Sequence, residues 1–272
     1  RLSTELTGRI HLVADTHKIF YESAKVINMT RHFVVVVVDM KRIVVIACAA
    51  LMGVSSMLAQ NVARPYMELK ALPELLKIMP APPSFDSPEF GHDIIRFAWG
   101  KQQRQDSTRL AMAIADAEWD DLAKLFLQWK DAFGLAVSES ETPEIYKLLT
   151  RSLATTDPMR RKTKAFYGRR RPFEMFGESM PSHEEEDLRG EGSYPSGHSL
   201  RGWTISLLMA QIAPERANEI FRRGWDYCNS RVIVAAHWQS DVDNSRAAAS
   251  IGFCALQNNE EFWCIGQNAG CA

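Results

Sequence analysis

The chain has 272 residues, of which 46% are hydrophobic and 24% charged, and its formal net charge at pH 7 is -1. This is ordinary globular composition, with length for one large domain or two small ones. Because the charge is near neutral, no basic excess marks the whole chain as a nucleic-acid-binding protein. Any phosphate chemistry must therefore come from a local cluster of positive side chains.

A pattern typical of secretory signals lies well inside the chain. Met-Lys-Arg at positions 40–42 precedes an apolar run at 43–54, and the segment that follows, up to Ala59, contains the small residues Ser55, Ser56 and Ala59. A basic start, an apolar middle and a small-residue exit describe a signal peptide, and the run is short for a membrane span. The sequence therefore predicts a signal peptide at 40–59 and a periplasmic or secreted protein, with no stable membrane insertion after cleavage.

A signal peptide begins a protein, so we interpret residues 1–39 as an upstream extension or a mis-called start. Residues 60–272 then form a single mature domain. The alternative is an uncleaved N-terminal anchor, in which the valine-rich run at 33–38 would lengthen the apolar segment. The internal start is favoured because Asp39 and the basic pair at 41–42 would be costly in lipid.

Four cysteines remain in the predicted mature chain: Cys228, Cys254, Cys264 and Cys271. An exported protein can oxidise them, and three full pairings are open to four cysteines. The paired CxxC spacing of a zinc site is absent from this sequence. We therefore expect structural thiols or disulfides.

Apolar periodicity predicts an all-α, single-domain helical bundle. Residues 93–101 and 110–133 carry apolar side chains at roughly three-and-four spacing. Thr142 followed by Pro143 is a typical helix start. Residues 232–236 could form a strand, but they lie between helical segments, so a helix is favoured. The alternative is a mixed fold with one short buried strand.

A first cluster of polar residues is basic. Seven Lys and Arg residues lie between positions 160 and 171, and Lys164 and Arg171 are two helical turns apart on one face. Pro172 disfavours helical geometry at Arg171, which predicts a helix end there. Guanidinium groups bind phosphate oxygens bidentately, and lysine adds a point charge. Alone, such a run is more often a solvated face or a nucleic-acid patch.

A second cluster is the segment Tyr194-Pro195-Ser196-Gly197-His198, which precedes an apolar helix. Ser196 suits the N-cap position, and the free N–H groups at a helix start favour an anion. Gly197 would let the backbone approach such a ligand closely, with His198 beside it. The alternative is a capped helix with a surface histidine.

A third cluster contains Ser230, Arg231, His237 and Asp241. The four-residue spacing of His237 and Asp241 predicts that they share a helix face. A carboxylate at Asp241 could accept the Nδ1 proton of His237, which would leave Nε2 free as a nucleophile. The alternative is an ordinary stabilising pair with an unrelated arginine.

The order and spacing of the three clusters resemble the three-part signature of the type 2 phosphatidic acid phosphatase (PAP2) superfamily. The sequence around positions 192–198 and 230–243 is similar to that of the bacterial class A non-specific acid phosphatases. This resemblance covers roughly residues 66–257. The resemblance implies a helical bundle of the PAP2 and haloperoxidase type. It also implies hydrolysis of small phosphate monoesters such as nucleotides, sugar phosphates and aryl phosphates. Relatives of this kind are often homo-oligomers, so we expect one here.

The resemblance implies a role for each signature residue. His237 attacks phosphorus, Asp241 orients it, and His198 protonates the leaving alkoxide before it activates water. Because His198 must carry a proton while His237 must not, an acidic optimum is expected. Five residues would hold the phosphate oxygens: Lys164, Arg171, Ser196, Gly197 and Arg231.

Neither a metal nor a cofactor is expected, because the cations and the helix end supply the positive charge and His92 and His183 lack paired ligand spacing. The rival functions are a vanadium-dependent haloperoxidase, a lipid-phosphate phosphatase, a non-enzymatic phosphate-binding protein and a nucleic-acid-binding protein. Two segments depart from the sequence pattern of the family: an acidic stretch at 184–187 and the tail from residue 258. The acidic stretch would repel highly charged substrates or simply be solvated.

Overall fold

The computed structural model describes residues 63–264. The predictions for residues 1–39 and 40–59 lie outside the described residues, as does Cys271. The α-helices between residues 75 and 256 are α1 (Leu75–Ile78), α2 (Phe90–Gln103), α3 (Ser107–Ala115), α4 (Leu122–Leu127), α5 (Lys130–Phe133), α6 (Pro143–Thr156), α7 (Arg160–Tyr167), α8 (Pro172–Phe176), α9 (Glu185–Leu188), α10 (Gly197–Ile212), α11 (Ala217–Ile233) and α12 (Gln239–Leu256).

The all-α prediction is confirmed, since residues 63–264 contain no β-strand. Helix α6 begins at Pro143, as the sequence predicts. The predicted helix at 110–133 is wrong as a single element, because α3, α4 and α5 divide this stretch. Asp121 restarts the helix as an N-cap that accepts the N–H of Lys124 at 3.1 Å. The resulting loop at 116–121 reaches the cavity described below.

Helix α10 lies at the centre and packs against α6, α11 and α12. Close approach of α10 to α11 depends on glycine. A Cβ atom at Gly202 would overlap the Tyr227 ring, and one at Gly224 would overlap the Ser206 side chain. Ser206 Oγ also accepts a hydrogen bond from Trp129 Nε1 at 3.1 Å. Helices α10 and α11 therefore pack in close contact along the middle of α10.

Within residues 63–264, no helix is both long and apolar enough to cross a bilayer. The three described cysteines are free thiols, with Cys228 buried and Cys254 and Cys264 exposed. Burial raises the pKa of the Cys228 thiol to about 11. Cys228 is therefore a core side chain and not a reactive group.

Candidate active site

Residues from all three sequence clusters surround one cavity of about 420 Å³. Its lining includes Lys164 on α7, Arg171 just before α8, Gly197 and His198 at the start of α10, and His237 before α12. The other three predicted residues are fully buried: Ser196, Arg231 and Asp241. Seven of the eight lie at or near helix ends or in the connections between helices, and Lys164 lies in the middle of α7.

His237 does not lie on a helix with Asp241, contrary to the prediction. Helix α11 ends at Ile233, and Ala235 takes a left-handed conformation with φ 64°. The N–H groups of Ala236 and His237 then bond the Arg231 carbonyl oxygen at 3.0 and 3.2 Å. This turn ends the predicted helix at 232–236 after its first two residues and places His237 in the connection to α12.

The tautomer of His237 follows from its neighbours. Its Nε2 lies 3.1 Å from Arg171 Nη1, and a guanidinium can only donate, so Nε2 is the acceptor. The ring proton is therefore on Nδ1, which faces Asp241 Oδ2 at 3.6 Å. Burial, reinforced by Arg171, Lys164 and Arg231, holds the pKa of His237 well below its usual value. The Nε2 lone pair thus stays available in mild acid.

Asp241 is oriented by groups other than His237. The 3.6 Å separation from His237 is longer than a hydrogen bond, so Asp241 acts on the ring as a nearby negative charge. Asp241 Oδ2 accepts the Trp238 N–H at 2.9 Å, and its Oδ1 accepts from Arg169 Nη1 at 2.6 Å.

Arg169 is a residue that the sequence analysis missed. It is 5% exposed and bridges two buried carboxylates, since its Nη2 also donates to Asp93 Oδ2 at 2.9 Å. Asp93 on α2 accepts in addition from Ser240, through the backbone N–H at 2.8 Å and Oγ at 2.6 Å. Nothing in the basic run distinguished Arg169 from its neighbours, and Asp93 is far away in sequence.

Arg171 is fixed almost wholly by backbone carbonyl oxygens. Its Nη1 donates to Ala236 at 2.8 Å, and its Nε donates to Leu188 and Glu191 at 3.1 and 2.9 Å. Its Nη2 donates to Gly192 at 3.2 Å, and Lys164 Nζ donates to the same oxygen at 2.5 Å. Carbonyl oxygens leave the positive charge of Arg171 unneutralised.

The electrostatics of these cations favour an anion. Burial lowers the pKa of Arg171 to about 10, with Arg231 adding to the effect. Burial and the charges of Arg171 and Arg160 hold the pKa of Lys164 well below its usual value. Crowded cations of one sign are costly to bring together, so a bound anion would relieve the repulsion.

Helix α10 begins as the sequence predicts. Ser196 is the N-cap, and its Oγ accepts the Ser199 N–H at 3.2 Å. A Cβ atom at Gly197 would lie 2.9 Å from Arg160 Nε and 3.0 Å from the Trp119 ring. A side chain there would crowd the cavity beside the positive end of the helix.

His198 is buried, which excludes the alternative of a surface histidine. It is 6% exposed, and its ring centre lies 4.6 Å from that of Trp119. Its Nε2 lies 3.2 Å from the Ala117 carbonyl oxygen, which can only accept, so Nε2 carries a proton. Burial and the charge of Arg231 hold the pKa of His198 well below its usual value.

Glu184 is a second missed residue. The acidic stretch is not simply solvated, because Glu184 is 6% exposed and forms an ion pair with Arg231 Nη2. Its Oε2 lies 3.7 Å from His198 Nε2. Glu186, two residues on, has a side chain that is 87% exposed. Sequence pattern alone does not distinguish these two carboxylates.

The residues present do not form a metal centre of the usual kind. Within the described part of the chain, no group of three or more His, Cys, Asp or Glu side chains has an arrangement suited to a metal ion. The cavity is instead lined by Arg160, Lys164 and Arg171 and by His198 and His237, whose pKa values are held low. Such a donor set suits a tetrahedral oxyanion.

Comparison with known proteins places the chain in a family. Residues 147–257, which include all eight predicted site residues, match the PAP2 superfamily model. The non-specific acid phosphatase of Providencia stuartii is 36% identical over 200 residues, covering 72% of this chain and 79% of that protein. That of Salmonella typhi is 36% identical over 193 residues, covering 68% and 74%. The acid phosphatase of Zymomonas mobilis is 34% identical over 191 residues, covering 69% and 70%.

These matches show that the chain belongs to the PAP2 superfamily, as the sequence resemblance indicates. Within that superfamily, the chain belongs to the bacterial class A non-specific acid phosphatases.

Proposed function

We propose that this protein hydrolyses phosphate monoesters with broad specificity, without a metal, through a phosphohistidine formed at Nε2 of His237. The observation that carries the proposal is the contact between His237 and Arg171. Nε2 of His237 lies 3.1 Å from the Arg171 guanidinium, which can only donate to it and which also binds phosphate oxygens. A nucleophile and an anion-binding group therefore meet in one cavity.

The cations and the α10 N-terminus supply the electrostatic stabilisation. Lys164, Arg171 and Arg231, with Ser196 and the Gly197 N–H, would bind the non-bridging oxygens, where charge is spread during phosphoryl transfer. Arg171 and the start of α10 are fixed before substrate arrives, so these groups need little reorganisation during reaction. Positive charge from side chains takes the part that a metal ion plays in other phosphatases.

The first half-reaction forms the bond between phosphorus and His237 Nε2 and breaks the ester P–O bond. His198, doubly protonated once the negative phosphate is bound, gives a ring proton to the leaving alkoxide and becomes neutral. The phosphorylated ring of His237 is then positive, and its Nδ1 proton faces the negative charge of Asp241. In the second half-reaction, His198 takes a proton from water, and the water oxygen replaces His237 on phosphorus.

The pKa directions support an acidic optimum. Since the pKa of His237 is held low, its nucleophilic form persists as the pH falls. The low pKa of His198 in the free protein opposes its protonation, and the negative charge of a bound phosphate raises that pKa by offsetting Arg231. Activity then declines as rising pH removes the His198 proton.

The test is hydrolysis of p-nitrophenyl phosphate by the full chain with excess chelator, beside His237→Ala and the control His92→Ala. His92 is exposed. We expect chelator-resistant turnover in the wild type and in His92→Ala, and loss of about three or more orders of magnitude in His237→Ala. A phosphoenzyme trapped with labelled substrate should be acid-labile and absent from His237→Ala. Label retained in that variant would contradict the phosphohistidine.

We further propose export, on the signal pattern at residues 40–59 together with the resemblance to exported enzymes. The mature protein would then begin near residue 60 and lie in the periplasm or outside the cell. Sequencing the N-terminus of the protein recovered from cells tests this. A terminus upstream of Met40 would contradict it.

A further inference from the structure

The Glu184 carboxylate lies where the proposed mechanism requires substrate oxygens. Its Oε1 binds Arg231 Nη2, and its Oε2 lies 3.7 Å from His198 Nε2. Arg231 is fully buried, and its other two nitrogen groups, Nε and Nη1, have no hydrogen-bond partner. Glu184 is thus the anionic partner that Arg231 has within residues 63–264.

A carboxylate and a phosphoryl group cannot share this position. Both are oxyanions that bind guanidinium through its N–H groups, and a phosphoryl group on the free Nε and Nη1 of Arg231 would still share that cation with the Glu184 carboxylate on Nη2. Two such anions in contact at one buried cation would repel each other strongly, because the local dielectric constant is low. Substrate binding to Arg231 therefore requires Glu184 to leave.

The side chain of Glu184 can leave without loss of the fold around it. The segment that carries it is fixed through other groups: the Met180 N–H donates to Glu185 Oε2 at 2.7 Å, and the Gly190 N–H donates to Glu174 Oε1 at 2.8 Å. The cavity beside Glu184 opens to solvent, and exposed residues such as Asp187 line its rim. A rotated Glu184 carboxylate would reach water there.

We propose that Glu184 is an internal competitor of the phosphoryl group: in the free protein its carboxylate neutralises Arg231, and substrate must displace it in order to bind. The inference rests on the proposed function, because it takes Arg231 and His198 as parts of the phosphate site. Glu184 keeps a buried cation paired when no substrate is present, at the cost of weaker phosphate binding. It thereby limits both substrate affinity and inhibition by the phosphate product.

The decisive comparison is Glu184→Gln with Asp187→Asn. Asp187 is an exposed carboxylate on the same rim, so its removal changes the local charge without touching Arg231. Inorganic phosphate is titrated into each full-length variant by calorimetry, and KM and kcat are measured with p-nitrophenyl phosphate. In Glu184→Gln we expect the phosphate Kd and the KM to fall roughly three- to thirtyfold, with kcat within about threefold of wild type. Asp187→Asn should stay within about twofold.

Glu184→Asp separates contact from charge. It keeps the negative charge but shortens the side chain by one CH₂ group, so it cannot reach both Arg231 and His198. Tighter phosphate binding in Glu184→Asp supports displacement, and it also serves if Glu184→Gln fails to fold. If Glu184 only held Arg231 in place, both variants should instead bind phosphate more weakly than the wild type.

The two proposals fail in different ways. If the wild type hydrolyses the ester and His237→Ala does not, while phosphate binds no more tightly to Glu184→Gln or Glu184→Asp, only the competitor role is overturned. An equal effect from Asp187→Asn also overturns it. If no variant hydrolyses the ester yet phosphate binds more tightly once Glu184 is changed, the competitor role stands and the proposed catalysis is overturned.

Discussion

Arg169→Met tests whether the bridge between Asp93 and Asp241 stabilises the fold and orients the site. Methionine keeps the length and apolar volume of the arginine stem but removes the guanidinium. The change deletes hydrogen bonds of 2.6 Å to Asp241, 2.9 Å to Asp93 and 2.8 Å to Ser240 Oγ. Both carboxylates are 0–1% exposed, so they would be left buried without their cation.

The expected loss of stability is large. Removing one partner of a buried ion pair costs about 3–5 kcal/mol, and Arg169 pairs with two carboxylates. At about 2–4 °C per kcal/mol for a domain of this size, the midpoint of thermal unfolding should fall by about 6–20 °C. Because Asp241 loses a group that orients it, kcat should fall on the order of 10- to 100-fold while KM changes little.

Arg170→Met is the matched control, since Arg170 is the exposed neighbour in sequence. It should unfold within about 0.5 kcal/mol of wild type. The double variant Asp93→Asn with Arg169→Met removes one unpaired charge, so it should regain part of the stability but not the activity. Urea unfolding and steady-state kinetics measure both effects. If Arg169→Met unfolds within about 1 kcal/mol of Arg170→Met, the role assigned to the bridge is refuted.

Two further outcomes follow from packing and from protonation. Gly202→Ala should lower the free energy of unfolding in urea by about 1–3 kcal/mol, because its Cβ atom would overlap the Tyr227 ring. Gly91→Ala is the control: no atom lies within 4 Å of its Cβ position, so it should be neutral or slightly stabilising. Equal effects of the two substitutions would refute the close approach of α10 and α11. The pKa values of His198 and His237 in the folded protein lie below the usual value of 6.5, so the unfolded chain binds more protons in acid. The stability that this difference contributes is present above about pH 6.5 and is lost as the pH falls. The loss approaches about 1.4 kcal/mol per pH unit for each histidine. The free energy of unfolding in urea, measured between about pH 7 and 5, should depend less steeply on pH in the double variant His198→Gln with His237→Gln. An unchanged pH dependence would contradict the buried neutral state of the two histidines.

Features determined by neighbouring residues in the chain could be predicted. The N-cap at Ser196 and the helix start at Pro143 depend on side chains next to the backbone that they influence. The residue types in the three clusters also indicate which side chains can bind an oxyanion. The structure brings these residues around one cavity, although their catalytic roles stay predictions until activity is measured.

Features determined by distant residues could not be predicted. The left-handed turn at Ala235 takes His237 off the helix, although the local text reads as helical. Arg169 and Asp93 are separated by 76 positions and become partners only through the packing of α2. Glu184 has the same sequence character as its exposed neighbours, and its burial depends on Arg231, 47 positions away.

The fixing of Arg171 by carbonyl oxygens affects how this protein can evolve. The oxygens of Leu188, Glu191 and Gly192 belong to the backbone, which every amino acid supplies. Side chains at the mouth of the cavity can therefore be exchanged while Arg171 keeps its position. Natural variation can alter which esters enter the cavity without altering the group that holds phosphate, so substrate preference and catalytic competence can change independently.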